Sequence, residues 1–107
     1  MLDYVIKNGT IVDGTGSPAS RADVGIANGR IAGIGDLSAA PAGTVIDAAG
    51  KYVTPGFIDI HRHADAALFR PDFGEAELRQ GLTSVVNGNC GLSVAPCCGE
   101  FAAQIEA

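Results

Sequence analysis

The first half of the chain alternates short runs of apolar and β-branched residues with turn-forming residues. Such alternation is typical of strands in a sheet that has one buried face. We predict strands at residues 4–7, 10–12, 22–27, 30–34, 44–47 and 52–54. Two of the connections are the pairs Asn8-Gly9 and Asn28-Gly29, and Asn-Gly is the strongest short-range signal for a β-hairpin. The pattern therefore predicts an antiparallel sheet or half of a β-sandwich, with a tight hairpin at each pair.

The pattern changes in the second half of the chain. Residues 57–60 form a near-continuous apolar run, which is typical of a parallel strand covered on both faces. Residues 75–80 predict a short helix that ends at Gly81, and residues 82–86 form a second β-branched run. A strand, a helix and a strand in this order predict a βαβ unit with two parallel strands. We therefore predict a mixed fold class, β for residues 1–54 and α/β for residues 55–107.

Length and composition limit the possible functions. The 107 residues are far fewer than the roughly 250 of a closed (β/α)₈ barrel. A net charge of −5 without a basic run argues against nucleic-acid binding. No apolar run is long enough to predict a membrane span, and the N-terminus lacks the features of a signal peptide, so we expect a cytoplasmic protein. The three cysteines do not form a CxxC pair, which argues against a disulfide framework.

Two histidines, His61 and His63, follow the first strand of the predicted βαβ unit. Residues two apart on a strand share a face, so both imidazoles can approach one point. Paired imidazoles at the C-terminal end of a parallel strand are good ligands for a divalent transition metal. An exposed loop pair, or one hydrogen-bonded core histidine, remains the alternative.

Cys90 follows the second strand of the unit, 29 residues after His61. One βα repeat of an eightfold barrel averages roughly 30 residues, and neighbouring strands lie about 4.8 Å apart. We therefore expect the Cys90 thiol near the histidines, at the same end of the sheet. The alternative is an inert buried thiol, which is common for a free cysteine.

Several other polar residues lie close to these three in sequence. Asp59 either orients a ligand or accepts backbone N–H groups, and we favour the second role. Asp65 lies in the following loop, where it is a candidate for substrate binding or a solvated acid. Arg62 is expected to point away from the histidines and to form an outer ion pair. Cys97 and Cys98 are not expected to act as ligands.

The amidohydrolase superfamily is resembled by the segment Val53-Thr54-Pro55-Gly56-Phe57-Ile58-Asp59-Ile60-His61-Arg62-His63. Residues 3–16 are similar to the opening of the same enzymes. Residues 87–96, which contain Gly-Asn-Cys-Gly, resemble its N-acyl-D-amino-acid deacylases, also called D-aminoacylases. The resemblance implies a small β-sandwich, the urease-like composite domain, followed by the first two strands of a metal-dependent (β/α)₈ barrel. The chain is accordingly interpreted as an N-terminal fragment of a longer enzyme.

The resemblance also implies a ligand set. Cys90 would be a Zn²⁺ ligand, and His61 and His63 would contribute to the neighbouring metal position. Arg62 stands where a small or polar residue such as threonine is more usual. The family's later histidine ligands and its catalytic aspartate have no counterpart in these residues. We therefore expect no catalytic residue within the chain and no activity from the chain alone.

The function that the resemblance implies is hydrolysis of the amide bond of N-acyl-D-amino acids, with a small-molecule substrate. One alternative is a cyclic-amide hydrolase of the dihydroorotase or hydantoinase type. Those enzymes depend on a modified lysine, whereas Lys7 and Lys51 both precede the first predicted barrel strand. A second alternative is a non-catalytic fragment that forms oligomers through the sheet edge left open after Val86.

Overall fold

The computed structural model describes residues 1–65, 67 and 70–93. It divides the chain into two compact units, one ending at Pro55 and one beginning at Gly56. Each unit has its own sheet. The sequence also predicts a loop and a further helix from Pro96 to Ala107, and these residues lie outside the described ranges. None of the helices in the described ranges is long and apolar enough to cross a membrane.

The first unit is a five-stranded mixed sheet. Its strands are β1 (Leu2–Ile11), β2 (Ser20–Ala27), β3 (Arg30–Gly35), β4 (Ala42–Asp47) and β5 (Tyr52–Val53). The order is β3-β2-β1-β4, and β5 also pairs with β1. The β1–β2 and β2–β3 pairs are antiparallel, whereas β4 and β5 run parallel to β1. The expectation of a purely antiparallel sheet is therefore wrong for the last two strands.

The length of β1 and the path of the chain after β3 together explain the two parallel pairs. One edge of this ten-residue strand pairs with β2, and the other edge is long enough for two partners in succession. Its first half, from Leu2 to Lys7, pairs with β4, and its end, at Thr10 and Ile11, pairs with β5. The chain crosses from β3 to this far edge before β4 begins, and a crossover connection allows parallel pairing.

Small aliphatic side chains form the core of this unit. Val5 on β1 is fully buried, and Ile11, Val24 and Ala48 are also buried. Val5 precedes a register irregularity in the β1–β2 pair and Ile11 follows it, so one uninterrupted period of two does not account for both core residues.

The Asn28-Gly29 hairpin is confirmed. Ala27 pairs with Arg30 across the turn. Asn28 and Gly29 both have left-handed backbones, with φ of 53° and 70°. Two successive residues with positive φ are the requirement of the type I′ turn, whose twist matches that of the flanking strands.

The prediction of a hairpin at Asn8-Gly9 is wrong, because β1 continues through this pair without reversing. Asn8 has a φ of 63°, but Gly9 does not share the left-handed conformation. Lys7 and Asn8 together lie opposite the single residue Asp23, since Ile6 pairs with Val24 and Gly9 with Ala22. The Asn-Gly pair therefore produces a β-bulge.

Polar contacts hold the bulge in place. The Asn8 N–H donates to Asp23 Oδ1 at 3.0 Å, and Asn8 Nδ2 donates to Asp47 Oδ1 at 2.9 Å. The second bond, with one from the Ala49 N–H, holds the pKa of Asp47 below its ordinary value. The bulge thus links β1 to the end of β4.

Gly9 is required by close packing. A Cβ at this position would lie 2.6 Å from Val53 Cγ2. We expect Gly9→Ala to lower the free energy of unfolding by about 1–3 kcal/mol, because inserting an atom into a packed core shifts its neighbours. Gly33→Ala is the matched control, since a Cβ there meets no heavy atom within 4 Å. Urea unfolding followed by circular dichroism measures both changes, and equal stability of the two variants would contradict the packing argument.

The second unit contains the predicted βαβ arrangement. Its elements are β6 (Phe57–Asp59), α1 (Glu75–Arg79), β7 (Leu82–Val85) and a 3₁₀ turn at Asn89–Gly91. Strands β6 and β7 pair in parallel, as predicted. Burial of the first strand on both faces is not observed, because Phe57 and Ile58 are 56% and 61% exposed in this chain. The described residues thus provide the parallel pairing but not the two covering layers.

Candidate metal centre

The backbone after β6 places His61 and His63 side by side. The Val86 N–H donates to Asp59 O at 2.8 Å, and the Arg62 N–H donates to Val86 O at 3.1 Å. These bonds extend the β6–β7 pairing beyond the strand ends and fix the residue between the histidines. The two imidazole ring centroids lie 5.4 Å apart, with an interplanar angle of 68°. The two imidazoles therefore lie close together, as the two-residue spacing predicts.

Cys90 reaches the histidines from the loop that follows β7. Its Sγ lies 3.4 Å from His61 Nε2. One ligand atom from each of His61, His63 and Cys90 falls within 4.8 Å of the others. Cys90 itself has a left-handed backbone, with φ 57° and ψ 22°, inside the 3₁₀ turn. The structure thus brings the three predicted ligand residues together, at the C-terminal ends of two adjacent parallel strands.

The donor set fits a zinc ion. Zinc takes imidazole nitrogen at 2.0–2.1 Å and thiolate sulfur at about 2.3 Å in tetrahedral geometry, which places two ligand atoms about 3.5 Å apart. The separation of 3.4 Å between the Cys90 sulfur and the His61 nitrogen matches that spacing. All three side chains are exposed, so their ligand atoms are accessible to an ion.

Asp59 and Arg62 support the segment that carries the histidines. Asp59 Oδ1 accepts the His61 N–H at 3.1 Å, so the favoured role of this carboxylate as a backbone acceptor agrees with the structure. The Arg62 guanidinium pairs with Asp59 at 3.7 Å and with Glu77 of α1. The outer ion pair expected for Arg62 is therefore observed, and it ties the segment between the histidines to the helix.

Asp65 contacts the loop of Cys90. Its Oδ2 accepts the Gly88 N–H at 3.4 Å, so the carboxylate links the segment after His63 to the start of that loop. Substrate binding by Asp65 stays a prediction. Cys97 and Cys98 lie outside the described residues.

Two asparagines near Cys90 were not identified from the sequence. Asn87 Oδ1 accepts the Ala64 N–H at 3.3 Å. Asn89 Nδ2 donates to the carbonyls of Val86 and Arg62. The sequence signal is Asn-Gly-Asn, which stands between the β-branched run of residues 82–86 and the cysteine. Glu77 was also missed, because its pairing with Arg62 depends on how α1 packs.

Two family models match the chain. The model described as the amidohydrolase family matches residues 44–97, which is just over half of the chain. The model described as the N-terminal domain of the urease alpha-subunit matches residues 1–53. The second match agrees with the strand-rich first unit.

Individual relatives and solved structures support the same family assignment. The N-acyl-D-glutamate deacylase of Alcaligenes xylosoxydans xylosoxydans is 56% identical over 95 residues, covering 89% of this chain and 20% of the relative. The crystal structure of N-acyl-D-glutamate deacylase from Bordetella bronchiseptica, complexed with zinc and a phosphonate inhibitor, matches with a TM-score of 0.85 and 51% identity over 90% of this chain and 20% of that one. The structure of a D-aminoacylase with a binuclear metal centre matches with a TM-score of 0.85 and 48% identity, over 92% of this chain and 21% of that one.

The chain spans about a fifth of the length of the curated relatives it matches. A solved D-hydantoinase is more distant, with a TM-score of 0.63 and 40% identity over 80% of this chain and 20% of that one. The amidohydrolase match covers β6, β7 and all three residues of the His61, His63 and Cys90 cluster. On this match and on the fold of both units, the chain belongs to the amidohydrolase family.

Proposed function

We propose that the protein carrying this chain is a zinc-dependent hydrolase that cleaves the amide bond of N-acyl-D-amino acids. The observation that carries the proposal is the 3.4 Å approach of Cys90 Sγ to His61 Nε2, with His63 in the same cluster. This cluster occurs in a chain that is 56% identical to an N-acyl-D-glutamate deacylase. Geometry and similarity thus support the same chemistry.

His61, His63 and Cys90 would hold the metal. Bound zinc lowers the pKa of a coordinated water to about 7 and polarises a carbonyl oxygen, which is the chemistry that amide hydrolysis needs. The contribution of this chain is to present one thiolate and two imidazoles from adjacent strand ends. The ion pairs of Arg62 with Asp59 and Glu77 hold the segment that carries the two histidines.

We also propose that residues 55–107 form the first two strands of a (β/α)₈ barrel. Support comes from the parallel β6–β7 pair with α1 between its strands. Active sites of such barrels lie at the C-terminal ends of the strands, and the candidate ligands follow β6 and β7 at those ends. A barrel would also cover the exposed Phe57 and Ile58 side chains.

The hydantoinase alternative has less support. The similarity to D-hydantoinase is lower than that to the deacylases. The alternative also gives no role to Cys90, whose sulfur lies in contact with His61. We therefore favour the open-chain N-acyl substrate over the cyclic amide.

Metal analysis and substrate assays on the full-length protein test the proposal. We expect bound zinc, hydrolysis of N-acetyl-D-methionine or N-acetyl-D-glutamate, and no hydrolysis of the L-enantiomers. Removing the metal with a chelator should abolish turnover, and adding zinc should restore it. Activity that persists after metal analysis shows the zinc to be removed would contradict the metal mechanism. Ring opening of a hydantoin without deacylation would favour the cyclic-amide alternative.

A further inference from the structure

One side-chain amide connects the two strand ends that carry the candidate ligands. Asn89 Nδ2 donates to Val86 O at 2.7 Å and to Arg62 O at 3.2 Å. Val86 O also accepts the Arg62 N–H at 3.1 Å. The three bonds form a closed ring between the end of β7 and the segment after β6, and Asn89 supplies two of them.

The ring includes residues that are adjacent in sequence to all three candidate ligands. Asn89 immediately precedes Cys90, and Arg62 separates His61 from His63. A shift of Asn89 therefore moves the Cys90 backbone relative to both imidazoles. The Cys90 backbone is itself in the left-handed region, which costs a non-glycine residue energy and needs support from its surroundings. The Asn89 bonds supply support one residue away.

We propose that Asn89 is a positioning residue that fixes the distance between the Cys90 sulfur and the two imidazoles. The inference rests on the metal site proposed above. The Asn89 amide nitrogen is a donor to two carbonyl oxygens and not a metal ligand. Its effect on the metal acts through the backbone of Cys90.

Two neighbouring contacts also join these segments. The Ala64 N–H to Asn87 Oδ1 distance is 3.3 Å, and the Gly88 N–H to Asp65 Oδ2 distance is 3.4 Å. Each is a single bond of about the same length as the 3.2 Å bond from Asn89 to Arg62 O, which is the Asn89 bond that crosses between the segments. These contacts connect the same two segments but do not reach the residue between the histidines.

The chain offers a matched pair of variants, Asn89→Asp and Asn87→Asp. Both changes add one negative charge near the site. Aspartate at position 89 has no N–H to donate and turns a carboxylate toward two carbonyl oxygens. Aspartate at position 87 keeps an oxygen that accepts the Ala64 N–H. The same chemical change thus removes the side-chain hydrogen bonds donated at position 89 and preserves the one accepted at position 87.

The measurement is Co²⁺ titration of the full-length apoprotein, because the thiolate-to-cobalt charge-transfer band reports the Cys90 sulfur directly. We expect Asn89→Asp to raise the Co²⁺ dissociation constant about 10–100-fold, as is typical when a group that orients a ligand is lost. The charge-transfer band at saturation should also weaken or shift. Asn87→Asp should retain the dissociation constant and the band of the wild-type protein.

The outcomes separate the inference from the proposed function. If the wild-type protein forms the thiolate band and both aspartate variants behave like it, Asn89 does not position Cys90, although the metal site stands. If the wild-type protein binds no Co²⁺, the metal site fails and the inference with it. If Asn89→Asp does not fold, Asn89→Ala replaces it in the Co²⁺ titration, because alanine removes the N–H donors without adding charge. Unchanged binding and band in the alanine variant would also overturn the inference.

Discussion

Replacing Cys90 by alanine should abolish tight zinc binding and deacylase activity in the full-length protein. Cys90 is the single sulfur in the cluster, and its thiolate is the strongest zinc ligand among the three side chains. Loss of a group that merely orients a ligand costs about 10–100-fold in metal affinity, so loss of the ligand itself should cost more. Zinc content after dialysis and the kcat/KM for N-acetyl-D-methionine measure the two effects.

The other two cysteines provide the control. Cys97→Ala and Cys98→Ala remove the same atoms from positions that we do not expect to bind metal, so both variants should keep their zinc and their activity. Full activity in Cys90→Ala would overturn the ligand role of this residue and, with it, the deacylase proposal. Loss of zinc in all three variants would show that the effect is not specific to Cys90.

The two Asn-Gly pairs show how far local sequence determines local structure. Each pair places its asparagine in the left-handed region, as the sequence predicts. Only at Asn28 does the following glycine adopt the same conformation and reverse the chain. Gly9 is instead buried beside Val53, where its lack of a side chain allows β5 to approach β1. The choice between turn and bulge depended on a strand more than 40 residues later, which a local pattern does not contain.

Strand direction was missed for a similar reason. The apolar pattern located β4 and β5, but alternation is the same in parallel and antiparallel strands that have one buried face. Their pairing with β1 follows from the free edge of that strand and from the path of the chain after β3. Neither is visible in a window of ten residues.

The candidate site was more predictable than the sheet. Spacing alone placed His61 with His63, and one βα repeat placed Cys90 beside them, because strand ends in a parallel pair lie at one edge. The supporting contacts were not predictable. Asn89 acts through hydrogen bonds to two carbonyls, and Glu77 acts through an ion pair with Arg62. Both contacts depend on side-chain positions that the folded chain creates.

Residues 1–107 expressed as an isolated polypeptide should bind zinc weakly and show no deacylase turnover. The candidate site offers three protein ligands, and all three side chains are exposed, so water competes at each position of the ion. Much of the apolar surface around the site is exposed as well, including Ile60 at 74%. Such a surface favours self-association over a preorganised pocket.

Dialysis against a mild chelator, followed by metal analysis, tests this expectation, with the full-length protein treated in parallel. We expect the full-length protein to retain zinc and the isolated polypeptide to lose it, because orientation of the ligands by their surroundings is worth about 10–100-fold in affinity. Size-exclusion chromatography should show the isolated polypeptide in oligomers, because this apolar surface is exposed. Stoichiometric zinc in a monomeric polypeptide after dialysis would show that the His61, His63 and Cys90 cluster is preorganised by the Asn89 ring and the Arg62 ion pairs alone.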